Sequence, residues 1–244
     1  MSLASVTAAA DAHAATYIVL SLVGNQITVV TAVRGTGSSL DRNRSEVFPA
    51  NDGAFDIAAV NAAADALRKI RPNATFKLLR INDPKIYALQ EKWLDSSTID
   101  VAEFLPLLDV RAGDDGTTRV VLIVRLRAEP QLATSIGHLG TGKVAGLGFY
   151  INRFQTLNRS DTGERGRGYL GTFANFRMLL INPATNTVEA KETAAVGITT
   201  SAARAEDMDP WHALSTEGKQ AALESLVPRE VTRLVPLLLA ADKQ

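Results

Sequence analysis

Five consecutive β-branched or leucine residues, Val120-Val121-Leu122-Ile123-Val124, constrain this chain more than any other feature. A strand with one wet face alternates apolar and polar residues, so an unbroken run means that both faces are covered. The chain must therefore build layers on both sides of a sheet that contains Arg119–Arg127. It has the material: 244 residues, 46% of them apolar, enough for a sizeable core without a metal or disulfide staple. The longest apolar runs, Tyr17–Val23, Val120–Val124 and Leu237–Ala241, fall well short of the roughly 18–20 residues that cross a bilayer as a helix.

Upstream of the run, Tyr17–Val23 and Gln26–Val33 are β-rich segments separated by Gly24-Asn25, which predicts a hairpin with a tight primed turn. Arg34–Ala50, rich in Gly, Ser, Asp, Asn and Arg, reads as a long polar loop; loops of that length serve function more often than short ones. Ile57, Val60, Ala64 and Leu67 recur at helical spacing, with Asp56 in the place of an N-cap. Arg71-Pro72-Asn73 ends that helix before a short strand at Phe76–Ile81. Asp83-Pro84 opens a second helix whose apolar face is Ile86, Leu89 and Trp93. Asp100-x-x-Glu103 opens a third, short one, which Pro106 interrupts or kinks.

Beyond Gly113 the period is that of strands. Val144–Ile151 alternates Ala145, Leu147, Phe149 and Ile151 against Gly146 and Gly148, glycines that leave room for a packing neighbour. Tyr169–Ile181 turns Leu170, Ala174, Phe176, Met178 and Leu180 to one side, and Asn182–Asn186 leads into a return strand at Thr187–Thr193. Ser215 caps a C-terminal helical region reaching Ala241, in which Pro228 opens a new segment and Pro236 bends or ends the helix. The order is hairpin, helix, strand, two helices, a four-strand antiparallel meander and a helical tail. It predicts an α+β class, with helices packed on a mixed, largely antiparallel sheet in a single domain over 17–244. Residues 1–16 read as a disordered leader or the remnant of a signal peptide. Ala12-His13-Ala14 has the alternating small residues that signal peptidase reads, without a charged n-region or apolar h-region before it.

Composition removes several function classes. The 26 Lys and Arg are balanced by 26 Asp and Glu, which argues against nucleic acid or an anionic membrane surface as partner. There is no cysteine, and the three histidines, His13, His138 and His212, form no ligand-spaced pair, so neither thiol nor metal chemistry is expected. Gly137–Val144 has the spacing of a phosphate-binding P-loop. Val144 stands where a hydroxyl is needed, however, and a β-period segment follows in place of a helix. Gly140-x-Gly142 and Gly146-x-Gly148 lack the strand-turn-helix setting of a dinucleotide site. Asp114-Asp115 and Glu206-Asp207-x-Asp209 lack calcium-loop spacing. Neither G-x-S-x-G nor H-E-x-x-H occurs. No catalytic residue, metal or cofactor is assigned.

What remains are binding candidates. Asp41, Arg42, Asn43 and Arg44 lie in the long polar loop, and Arg159, Arg165 and Arg167 punctuate the connection Asn152–Gly168 together with Asp161 and Glu164. Arginine clusters grip phosphate or carboxylate groups. The reading that follows leans away from an enzyme: a soluble binding or accessory protein of the bacterial cell envelope, periplasmic or secreted. It would act through a loop surface on a protein or small-molecule ligand. The alternative is a hydrolase acting on a phosphorylated or acidic substrate. A histidine converging on Asp41, Arg42 or Arg165 would mark the enzyme. An open sheet edge or exposed apolar patch would mark the binding protein.

Overall fold

The computed structural model describes residues 15–34, 43–50, 53–96, 98–108, 116–134, 137–158 and 162–241. In chain order the elements begin with β1 (Thr16–Ser21), β2 (Gln26–Thr31), β3 (Arg44–Pro49), α1 (Ala54–Ile70) and β4 (Thr75–Leu79). Then come α2 (Pro84–Trp93), α3 (Val101–Phe104) with a 3-10 turn at Leu105–Leu108, β5 (Thr118–Arg125), β6 (Arg127–Ala128), β7 (Leu132–Thr134) and β8 (Gly137–Leu139). The chain finishes with β9 (Val144–Asn158), β10 (Arg165–Asn182), β11 (Thr187–Ser201), 3-10 turns at Ala202–Arg204 and Pro210–Ala213, and α4 (Thr216–Ala241). Among the described residues eleven strands form a mixed sheet with the helices packed on it, the α+β class the sequence predicts.

β10 and β11 make a long antiparallel hairpin that serves as a spine. Along the other edge of β10 two strands lie end to end: β9 pairs Arg165–Asn175 and β5 pairs Phe176–Ile181. Each has a parallel neighbour, β2 beside β9 and β1 beside β5. β4 lies parallel beyond β1, and β3 antiparallel beyond β2. The apolar run is covered as required: Val121 and Ile123 join the core shared with α1 and α4, while Val120, Leu122 and Val124 join the one under α2 and α3.

Several expectations are corrected. β1 and β2 do not form a hairpin; they pair with different strands. The gap between them is filled by the start of α1, where Asp56 Oδ1 accepts from Ser21 Oγ at 2.6 Å and from the Gly24 amide at 3.0 Å. A Cβ on Gly24 would lie 2.7 Å from the Asp56 amide nitrogen, so glycine there serves this approach instead of a primed turn. Accordingly Asp56 is not the N-cap of α1, a position taken by Gly53 at φ 65°. The polar segment Arg34–Ala50 is not wholly a loop, because Arg44–Pro49 pairs with β2. Likewise most of Asn152–Gly168 is ladder, extending to Asn158 opposite Arg165.

α4 also departs from expectation, running unbroken through Pro228 and Pro236. An internal proline costs about 3 kcal/mol against alanine. Burial of Leu223, Leu226, Val227, Val231, Leu234, Val235, Leu238 and Leu239 along one stripe outweighs it. The meander is β9-β10-β11, with β5 continuing the line of β9 instead of adding a fourth neighbour. Local caps form where expected. Asp83 accepts from the Lys85 amide, Asp100 from Ala102 and Glu103, and Ser215 Oγ from Gly218.

Candidate functional site: a polar cleft beside an open strand

One face of the sheet is covered by α1 and α4. The other carries two separate apolar clusters, one under α2 and α3 and one around Tyr150, Tyr169 and Phe173. Between them β10 turns polar at Asn175 and Arg177, both buried. Asn175 Nδ2 donates to the Val144 carbonyl at 3.1 Å. Arg177 donates to the carbonyls of Trp93 (2.8 Å) and Ser96 (2.9 Å), placing a cation at the negative end of α2. Gln90 completes this seam: its Nε2 donates to the Leu22 carbonyl at 2.9 Å and its Oε1 accepts from the Arg125 amide at 2.8 Å. These bonds tie the ends of β1 and β5 to α2.

Arg125 links the seam to a cleft of about 390 Å³, walled by β2, β3, the end of α2 and the start of β9. It is the last residue of β5 and its side chain is 1% exposed. Its stem lies against Gly146, where φ is +68° and a Cβ would stand 2.6 Å from Arg125 Cδ. Nη2 donates to Glu91 Oε1 in an ion pair. Nε and Nη1 are buried and, among the described residues, have no hydrogen-bond partner. Arg127 pairs with Asp95 at 3.0 Å, and Lys143 stands on the wall. Among the described residues, Arg125, Arg127 and Lys143 line the cleft together with Glu91 and Asp95.

The β2–β3 ribbon separates this cleft from an apolar groove. Gln26, Thr28, Val30, Ser45 and Val47 line the cleft. Ile27 and Ala50 line the groove, of about 450 Å³, with Phe55, Phe149, Trp211 and Leu223. Trp211 meets Phe149 edge-on at 5.8 Å and has the Lys219 ammonium 4.1 Å above its ring; burial lowers the pKa of that lysine. β3 has β2 on one side and, among the described residues, no strand on the other. All six of its residues are exposed, Val47 by 54% and Phe48 by 48%.

The structure disperses the residues that the sequence marks. Asn43 stands on the cleft wall, where its Oδ1 accepts from the Val33 amide (3.3 Å) and its Nδ2 donates to the Thr141 carbonyl (2.7 Å). It braces the ribbon. Arg44 opens β3, exposed, on the face opposite to Ser45 and Val47 by strand alternation. Arg165 and Arg167 are exposed on β10 opposite Asn158 and Thr156, away from the cleft. Asp41, Arg42 and Arg159 lie outside the described residues, as do residues 1–14 of the expected leader. Among the described residues no hydrogen bond or ion pair joins Arg165 to a histidine. His212 pairs with Asp207 at 2.6 Å, and His138 is exposed on β8. Gly137–Leu139 is a strand followed by β9, with no helix to meet a phosphate. Among the described residues no three metal-ligating side chains gather, and no helix is long and apolar enough to cross a membrane.

Sequence reasoning missed Arg125, Glu91 and Gln90. An arginine closing an apolar strand reads as its solvated end, and only the paired glycines at 146 and 148 signal that something must pass close by.

No family model matches the chain, and no curated protein matches it. Among solved structures it is similar to a hypothetical protein from Chlamydia trachomatis, at 10% identity and a TM-score of 0.29, over 89% of this chain and 96% of that one. That likeness carries no functional argument.

Proposed function

We propose that this chain is a binding or accessory protein of the bacterial cell envelope, exported to the periplasm or beyond, and that it engages a protein partner through the β2–β3 ribbon. The observation that carries this reading is the outer edge of β3. Its backbone donors and acceptors face no other described strand, and Val47 and Phe48 are exposed beside them. Unprotected strand edges pair readily with extended segments, the backbone supplying affinity and alternate side chains specificity. Sequences that avoid such pairing place charged residues or proline along the edge. β3 carries Arg44 and Glu46 in its first half and Pro49 at its end, and leaves the apolar pair Val47-Phe48 exposed between them.

Two measurements test it. A photo-crosslinking residue at Phe48, introduced in cells that express the protein, should give one adduct of discrete mass, abolished by Val47→Lys. A ladder of adducts, or an adduct indifferent to Val47→Lys, would refute the strand-edge surface. Fractionation of those cells should find the protein outside the cytoplasm; a cytoplasmic location refutes the envelope assignment.

A further inference from the structure

The outer edge of β3 has a definite pattern of donors and acceptors. In an antiparallel ladder, residues whose backbone groups bond the neighbouring strand alternate with residues that turn them away. The Ala50 amide donates to the Asn25 carbonyl at 3.0 Å. Counting back in steps of two, the bonded pairs are Phe48 with Ile27, Glu46 with Val29 and Arg44 with Thr31. The other side of β2 agrees. Its extension at Ala32 donates away from β3, to the Ile151 carbonyl of β9 at 2.8 Å. Ser45 and Val47 therefore direct their N–H and C=O groups past the edge of the sheet, where no other described strand meets them. Pro49 belongs to the same outward set but has no N–H. The side chains that accompany this edge carry both signs of charge. Arg44 and Glu46 are exposed, two residues apart, and share one face of the strand.

We propose that this edge pairs with the same edge of a second copy of the chain, the two β3 strands running antiparallel about a two-fold axis with Ser45 opposite Ser45. The proposal rests on the strand-edge reading above and names its partner. Outward residues must meet outward residues, which leaves three registers centred on β3. Ser45 opposite Val47 would set Glu46 against Glu46, and like charges directly opposite are destabilising. Val47 opposite Val47 would set Ser45 against Pro49, which cannot donate. Ser45 opposite Ser45 sets Arg44 against Glu46 on both sides of the axis. Both pairs then occupy the closer, non-bonded positions of the ladder, where opposite charges attract across strands. A two-fold contact requires this reciprocity, in which one residue meets a second and the second meets the first. A different protein would need no such self-complementarity in β3. With 26 basic and 26 acidic residues, the copies carry no net charge to hold them apart.

Sedimentation velocity of the whole chain should show a dimer that dissociates on dilution. Arg44→Glu makes the edge acidic at both charged positions, and Glu46→Arg makes it basic at both. Each variant alone should dimerise at least tenfold more weakly than the wild type. An equimolar mixture should regain wild-type affinity, because every acidic edge then faces a basic one. Both positions are exposed, so folding is preserved. The register is read separately, in a chain that has no cysteine of its own. Ser45→Cys should form an intermolecular disulfide on oxidation, since bonded antiparallel pairs hold their Cα atoms about 5.5 Å apart, within bridging range. Val47→Cys should not, because four residues of offset put its copy roughly 13 Å away. The proposal is overturned if the wild type is monomeric, if mixing the charge variants restores nothing, or if Val47→Cys cross-links in place of Ser45→Cys. A monomer whose Phe48 crosslinker captures one foreign protein overturns the second copy as partner and leaves the strand-edge reading standing. A monomer with no discrete adduct overturns both.

Discussion

Asp56 accepts a 2.6 Å hydrogen bond from the hydroxyl of Ser21 across the gap where β1 stops and β2 has yet to begin. The same carboxylate oxygen takes the Gly24 amide. A break in a sheet leaves backbone groups without a ladder partner, and here one helical side chain takes the Gly24 amide from outside the strand. Asp56→Ala would leave both donors unmatched and should cost about 2–4 kcal/mol, read as a shift in urea midpoint at constant m-value. A loss under half a kcal/mol would show that water replaces the carboxylate without penalty.

The same residue should impart a pH dependence of unusual sign. Burial raises its pKa above the ordinary 3.8, against the opposing hydrogen bonds from Ser21, Gly24 and Val23. The folded state therefore keeps this proton to higher pH than the unfolded chain does. Its contribution to stability is largest in acid and declines as pH rises from about 3.8 through the folded value, after which it is level. Asp56→Asn removes that term. The wild type minus variant difference in unfolding free energy, followed by urea melts from about pH 3.5 to 7, should fall with rising pH. A difference that rises with pH contradicts the assignment.

Gly146 and Arg125 should be energetically coupled. Alanine at 146 forces a left-handed residue, about 1–2 kcal/mol, and drives its Cβ against the arginine stem, about 1–3 kcal/mol more. In an Arg125→Ala background only the backbone strain survives, so the cost of Gly146→Ala should drop to about 1–2 kcal/mol. Additive losses in the double-mutant cycle would locate the strain elsewhere.

Gln90→Leu preserves volume but unpairs the Leu22 carbonyl and the Arg125 amide together. The expected loss is about 2–4 kcal/mol. Hydrogen exchange should speed up at the Arg125 amide more than at Val121 in the middle of the same strand. Equal acceleration at both would mean that the substitution lowers global stability alone and that Gln90 has no local role in holding the cleft.

These residues also show where sequence reasoning succeeds. Asp83, Asp100 and Ser215 cap helices through bonds made two or three residues away, and the unbroken run Val120–Val124 states its own burial. Such features carry their partners beside them. Gly24-Asn25 misleads because what fills the gap, Asp56, arrives 32 residues later and overrides a good local turn. Asn43 is legible as a polar residue in a long polar segment, although its task is to brace the ribbon. Arg125 is illegible because its burial depends on Glu91, 34 residues upstream, and on Gly146. A charged residue at a strand end has no local signature for being enclosed.

The prolines of α4 lead to the last prediction. Pro236 lies on an exposed position of a helix that continues past it to Ala241. It lacks the amide that would donate to the carbonyl of Thr232, one turn earlier, and its ring crowds that carbonyl. Neighbouring Val235, Leu238 and Leu239 are buried in the core and hold the helix in place. Replacing proline by alanine restores the hydrogen bond, for which internal helix propensities allow up to about 3 kcal/mol. The looser unfolded chain takes back about 0.4–1 kcal/mol. Pro236→Ala should therefore stabilise the protein by about 1–2 kcal/mol in urea denaturation, with an unchanged far-ultraviolet circular dichroism spectrum. If stability falls, the proline supports a bend that the packing of Leu238 and Leu239 requires, and the apolar stripe alone would not explain why the helix continues.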